Sequence, residues 1–233
     1  MLESFKQKLK SKLGVPSVND GLKSISRNGF KPKVIYDIGA FQGTWTKEVL
    51  NIFPDACFFM FEAQESKRIF LEEMRKKNPS NLKYHIALLG ATSSKEVIFH
   101  EYETASSVLD EFFETGAKAE KKKLQRLDEV IEMFNWPLPD LIKLDTQGYE
   151  LEILKGGSKA LESSEAILME VSFIDIYKDA PLVEDVIAQM SFWGFQVYDI
   201  CSLIRRPLDK ALYQADLLFI KKDSKLLSNK RWA

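Results

Sequence analysis

Residues 34–43, Val-Ile-Tyr-Asp-Ile-Gly-Ala-Phe-Gln-Gly, run a short apolar strand into an acid and then two spaced glycines. That order predicts a strand, a tight turn and a helix in succession, the repeating unit of open parallel sheets. Gly39 lets a ligand approach the backbone closely, and Gly43 lets the following helix start tight against the strand. The dinucleotide-binding form of this turn carries a further glycine where the chain has Asp37. A carboxylate there repels a pyrophosphate, whereas the ammonium and sulfonium groups of S-adenosylmethionine (SAM) are attracted to it.

A second acid fits the same ligand. The run Phe58-Phe59-Met60-Phe61 reads as a buried strand ending in Glu62, nineteen residues beyond Gly43. This matches the roughly 20-residue spacing at which a carboxylate at the end of the second strand meets ribose hydroxyls. The turn and Glu62 together define a cofactor site of Asp37, Gly39, Ala40, Gly43, Glu62 and Ala63.

At 233 residues and 45% hydrophobic composition, the chain can bury a full core in one domain. Its 33 basic and 34 acidic side chains leave a net charge of -1, which offers nucleic acid no general attraction. Lys121-Lys122-Lys123 and Lys221-Lys222 read as solvated faces. Two cysteines, Cys57 and Cys201, suit a reducing cytoplasm and no disulfide framework. Leu2, Phe5, Leu9 and Leu13 recur at helical spacing between lysines, so residues 1–30 are expected to form a helical extension. Packing on its own domain or a partner is the expectation for this basic helix, with peripheral contact to an anionic membrane as the alternative. The stretch lacks the uncharged apolar run of a signal peptide, and no run of eighteen apolar residues spans a bilayer.

Strands at about 34–38, 57–61, 83–88, 141–144, 166–169, 195–200 and 215–220 alternate with helices until the last pair, and 96–101 reads as an additional strand. Thr44 is the expected cap of the first of those helices, Pro54 its stop, and Gly156-Gly157 the end of the helix after the 141–144 strand. Residues 102–123 are polar and weakly patterned, and read as a loop or lid over the acceptor. The pattern predicts an α/β fold over residues 31–223: a Rossmann-like, mostly parallel seven-strand sheet, helices on both faces and an antiparallel edge hairpin. Residues 224–233 are expected to be a tail. Asp37, Glu62, Asp145 and Glu170 all fall at carboxyl ends of strands, where such sheets bind ligands.

The chain resembles the FkbM-type family of SAM-dependent methyltransferases across residues 20–222. The resemblance rests on Ile35-Tyr36-Asp37-Ile38-Gly39-Ala40 with Gly43, on Phe61-Glu62-Ala63, on Ser106-Ser107-Val108-Leu109 and on Leu127-Asp128. Above all it rests on the block from Ile142-Lys143-Leu144-Asp145-Thr146-Gln147-Gly148-Tyr149-Glu150 to Gly156-Gly157. It implies a class I methyltransferase sheet and O-methylation of hydroxyls, often on sugars or natural products. It also implies adenine contacts near His85 and Ala87, at the end of the third strand. Many relatives carry Glu where this chain has Gln147.

Methyl transfer to an alcohol requires that its proton leave, which calls for a carboxylate or histidine within about 2.6–3.2 Å. By position Asp145 is the first candidate base and Glu170 the second. The alternative for Asp145 is to cap the helix near Gly148 or to orient the methionine end of the cofactor. His85 and His100, the only histidines, match no metal-ligand spacing, so no metal site is expected. Two functional classes follow: an O-methyltransferase acting on a small-molecule or glycan hydroxyl, and a SAM-binding sensor or partner subunit without chemistry. A dinucleotide oxidoreductase is weaker because of Asp37.

Overall fold

The computed structural model describes residues 14–102, 106–110 and 118–231. The amphipathic stretch at residues 1–13 lies outside these.

Eleven strands and seven α-helices make up the described residues. The strands are β1 (Val34–Ile38), β2 (Cys57–Glu62), β3 (Leu82–Ile86), β4 (Leu88–Leu89), β5 (Glu96–Glu101), β6 (Lys118–Gln125), β7 (Leu141–Leu144), β8 (Ala166–Ser172), β9 (Phe195–Ile200), β10 (Ile204–Arg205) and β11 (Leu212–Lys221). The helices are α1 (Val18–Arg27), α2 (Thr44–Val49), α3 (Arg68–Lys77), α4 (Leu127–Phe134), α5 (Glu150–Gly156), α6 (Ser158–Ser163) and α7 (Val183–Phe192).

The main sheet runs β3-β2-β1-β7-β8 in parallel, and then β11 antiparallel to β8. On the far side of β11, β9 pairs with Leu217–Lys221 and β10 with Leu212–Gln214. Eight strands thus fill seven positions, because the outermost position is divided between two short strands. From β1 the chain builds outward to β2 and β3, and then returns to β7 on the other side of β1. The strand order reverses between β1 and β7, which is where a parallel sheet opens a crevice for ligand.

Period-two alternation sorts the strand side chains to two apolar layers. Tyr36, Ile38, Phe59, Phe61, Ile142 and Leu144 face one layer, covered by α4, α5, α6 and α7 through residues such as Leu127, Leu154, Leu161 and Met190. Ile35, Phe58, Met60, Leu141 and Leu168 face the other, covered by Leu22 and Ile25 of α1, Val49 of α2 and Leu71 of α3. With both faces buried, the central strands need near-continuous apolar sequence, and they have it.

Several boundaries differ from the sequence expectation. Part of the polar 102–123 stretch is not a loop: Lys118–Gln125 forms β6, antiparallel to β5 and parallel to β4, in a separate three-stranded sheet. Residues 103–105 and 111–117 of that stretch lie outside the described residues. The third strand ends at Ile86, and Leu88–Leu89 crosses into the small sheet as β4. Gly43, with φ +76°, holds the cap position of α2, so Thr44 is already the first helical residue. The left-handed backbone is what calls for glycine here, and a side chain on it would also push against the flexible end of Met74, Sδ at 2.3 Å. α5 does end at Gly156, but the chain turns at once into α6.

Candidate active site

A cleft of about 690 Å³, partly open to solvent, lies over the carboxyl ends of β1, β2 and β7. Its walls carry Gly39, Glu62, Ala63, Ala87 and Asp145 of the residues singled out in the sequence. The others, Asp37, Ala40, Gly43, His85 and Glu170, do not line it.

Gly39 sits at φ +73°, and a Cβ there would lie 2.0 Å from the carbonyl oxygen of Asp145. Only glycine permits this approach of the β1 turn to the β7 end. The Gly39 and Ala40 amides both donate to Phe61 O at 3.0 Å, which ties the turn to β2. The next residue, Phe41, is itself left-handed at φ +50°, and its amide donates to Glu62 Oε2 at 2.6 Å. The Gln64 amide donates to Glu62 Oε1 at 2.8 Å. Burial pushes the Glu62 carboxyl up, and these backbone donors together with the Lys143 charge offset that only in part. Two backbone donors thus fix the Glu62 carboxylate at the rim of the cleft, where each oxygen keeps a lone pair for a ribose hydroxyl.

Asp37 is fully buried beneath the turn. Its Oδ2 accepts from Thr46 Oγ1 at 2.7 Å, and its Oδ1 lies 3.2 Å from Lys143 Nζ. Lys143 also donates to Gly39 O at 2.8 Å and lies 3.7 Å from Asp145 Oδ2. The Asp37 and Asp145 carboxylates hold the lysine well above its ordinary range against the opposing effect of burial. Asp37 therefore acts on the turn through Lys143, with its charge compensated inside the fold.

Asp145 is 41% exposed at its side chain. Its Oδ1 accepts from Gln147 Nε2 at 3.0 Å, and it makes no capping bond to α5. The loop is capped instead by Glu150, whose Oε1 accepts from the Thr146 amide at 2.7 Å and the Thr146 hydroxyl at 3.1 Å. Gln147, left-handed at φ +55°, spans two carboxylates: its Nε2 also donates to Glu170 Oε2 at 3.0 Å, and its Oε1 accepts from Tyr177 OH at 3.0 Å. Glu170 takes a second amide, from Gln214 Nε2 at 2.6 Å. Burial, then the neighbouring Asp145, Asp216 and Glu150 carboxylates, push Glu170 up to about 9. It is thus a protonated acid at neutral pH, beside an open carboxylate.

His85 stands aside: Nε2 is 3.2 Å from Gln125 Oε1, and the ring packs edge-on to Phe134. His100 pairs with Asp110 at 3.0 Å. Ser107 lines the cleft, and its hydroxyl donates to Gln147 O at 2.9 Å. Among the described residues, no group of three or more His, Cys, Asp or Glu side chains is arranged to hold a metal ion.

Residues 31–197, well over half of the chain, match the family described as the methyltransferase FkbM domain. The chain belongs to the FkbM methyltransferase family. Its cofactor is SAM, and Gly39 with the fixed Glu62 carboxylate suits that molecule. A crystal structure of methyltransferase FkbM from Methylobacillus flagellatus superposes with a TM-score of 0.52 at 15% identity, covering 80% of this chain and 43% of that one. The structure of TrmK from M. capricolum, in complex with S-adenosylhomocysteine (SAH), superposes at 0.50 and 9% identity over 82% and 62%. At such identities the likeness is one of fold. Hexuronic acid methyltransferase AglP of Haloferax volcanii is 41% identical over 44 residues, 19% of this chain and 18% of that protein. The chain thus spans less than half the length of the FkbM structure and a fifth of AglP.

The sequence reading left Lys143, Phe99, Tyr177 and Gln214 without a role. Lys143 carried a signal, a charge inside the apolar strand Leu141-Ile142-Lys143-Leu144, and parallel pairing sets it in register with Asp37.

Proposed function

We propose that this FkbM methyltransferase is an O-methyltransferase acting on a hydroxyl of a sugar or other small molecule, with Asp145 as the base. The observation that carries the reading is a division of labour between the two carboxylates lining the cleft. Glu62 is buried with both oxygens held by backbone amides, whereas Asp145 is open to solvent at the same cleft. One suits a permanent ligand and the other a transient proton.

SAM supplies a methyl group on a sulfonium, which leaves as a neutral thioether. The protein must place the acceptor oxygen in line with it and take the hydroxyl proton. Asp145 Oδ2, nearest to Lys143, would receive that proton, while Gln147 holds Oδ1. Glu170, the second candidate, is already protonated at neutral pH and suits donation of a hydrogen bond rather than proton removal. The short likeness to a hexuronic acid methyltransferase supports a sugar acceptor. Two free cysteines, Cys201 buried and Cys57 half-buried, fit action in a reducing cytoplasm.

The test is Asp145→Asn, assayed with a panel of hexuronic acids and glycosides by mass spectrometry of the product. Turnover should fall roughly 100-fold or more with SAM affinity nearly kept. Normal turnover at saturation with much weaker SAM binding would make Asp145 a cofactor ligand. If SAM binds but is never consumed with any acceptor, the chain is a SAM-binding subunit instead.

A further inference from the structure

The cleft has two chemically different ends. Asp145, Thr146 and Gln147 make the wall beside β1 and β7 polar, whereas Phe61, Ala63, Ala87, Leu88, Leu89 and Phe99 are apolar; Ser107, bridged to His100 of β5 and bonded to Gln147 O, stands between the two. Strand order places Gly39 and Asp145 over β1 and β7, Glu62 over β2, and the apolar residues beyond, toward β3 and the small sheet. SAM has a charged amino-acid end, a ribose, and a flat base. With the ribose at Glu62 and the charged end at the polar wall, the base is left the apolar pocket under β5.

Phe99 closes that pocket from the small sheet. It is 3% exposed, packs on Leu88 and Leu124 with Ala63, Val108 and Tyr149 around it, and still lines the cleft. Lys122 of β6 lies over the same ring, Nζ 4.8 Å from its centroid, and donates to Ala63 O at 2.6 Å. That bond joins the small sheet to the residue directly after Glu62.

We infer that the three-stranded sheet β4-β6-β5 is an adenine clamp, with Phe99 as the platform for the base and Lys122 as the latch that fastens the sheet to Ala63. The stretch read from sequence as a cover for the acceptor thus closes, in its β6 part, on the cofactor. The inference depends on the cofactor and not on the acceptor, so it survives failure of the O-methylation reading.

The dissociation constants of SAH and of S-ribosylhomocysteine, which lacks the base, test it on the full chain. Phe99→Ala should weaken SAH about tenfold or more, as loss of an aromatic stacking partner does, and leave S-ribosylhomocysteine unchanged. Lys122→Met should weaken SAH more than S-ribosylhomocysteine. If Phe99→Ala disturbs the small sheet, Phe99→Leu keeps its apolar packing and should still show the selective loss. Equal weakening of both ligands, or weakening of neither, overturns the clamp.

Discussion

Asp37 and Lys143 show how one buried pair can govern a site that neither lines. The lysine charge sits among Asp37, Asp145 and the Gly39 carbonyl with little water around it, so removing one partner exposes the other to an uncompensated burial. Lys143→Met should destabilise the fold by about 3–5 kcal/mol, and adding Asp37→Asn should recover much of that in denaturant unfolding. Glu170 gives a separate, pH-dependent signature. Its folded carboxyl is raised from 4.5 to about 9, so the native state keeps a proton that the unfolded chain releases. That stabilisation is full below pH 4.5 and is lost as pH rises toward 9. Glu170→Gln should flatten the fall in stability across this window, read from thermal melts at several pH values. At this scale the sequence made Gly39 and Glu62 legible, because turn and spacing are properties of one stretch of chain. The Asp37–Lys143 contact was not, because it exists only once β1 and β7 are in register.

Among the elements, those with an apolar or alternating run were readable, including the half-exposed β5 and β9, and the charged β6 was not. β1, β2, β7 and β8 are short apolar runs ended by polar residues, which leaves little else for them to be. β6 is Lys-Ala-Glu-Lys-Lys-Lys-Leu-Gln, with only Leu124 buried, so it offers no alternation to detect. Its charge was a usable signal: Lys121 pairs with Glu96 across the ladder, joining a basic strand to one bounded by Glu96 and Glu101. If that sheet closes on cofactor, its β5 and β6 amides should exchange more slowly with SAH present, while those of β9 hardly change. Uniform protection, or none in β5 and β6, would leave the sheet a passive insertion. α1 illustrates the opposite case of an element that is more integral than its position at the chain start implies. Leu22 and Ile25 are fully buried against the layer that holds Leu218 and Ile220. Leu22→Ala should cost about 2–5 kcal/mol, measured by urea unfolding.

Over the whole molecule, the cleft lies where the sheet's two halves diverge. The residues that line it come from chain segments far apart in sequence: the β1 turn, Glu62 after it, Phe99 in the small sheet and Asp145 in the second half. A cofactor bridging these segments binds the folded chain and has no comparable site in the unfolded one, so it must raise stability by mass action. At a hundredfold excess over its dissociation constant the gain is about 2.7 kcal/mol. For a chain of 233 residues this corresponds to a rise in Tm of roughly 5–10 °C. If the Glu62 carboxylate accepts from the ribose, Glu62→Ala removes a contact worth about 1.5–3 kcal/mol of affinity and should lower that rise at the same SAH concentration. Thermal melts at several SAH concentrations separate the two effects of this substitution. A lower starting Tm reports the lost Phe41 and Gln64 bonds, whereas a shallower dependence on SAH reports the lost contact with ligand. An unchanged slope with a lower starting Tm would make Glu62 a brace for the turn and move the search for the ribose partner elsewhere in the cleft.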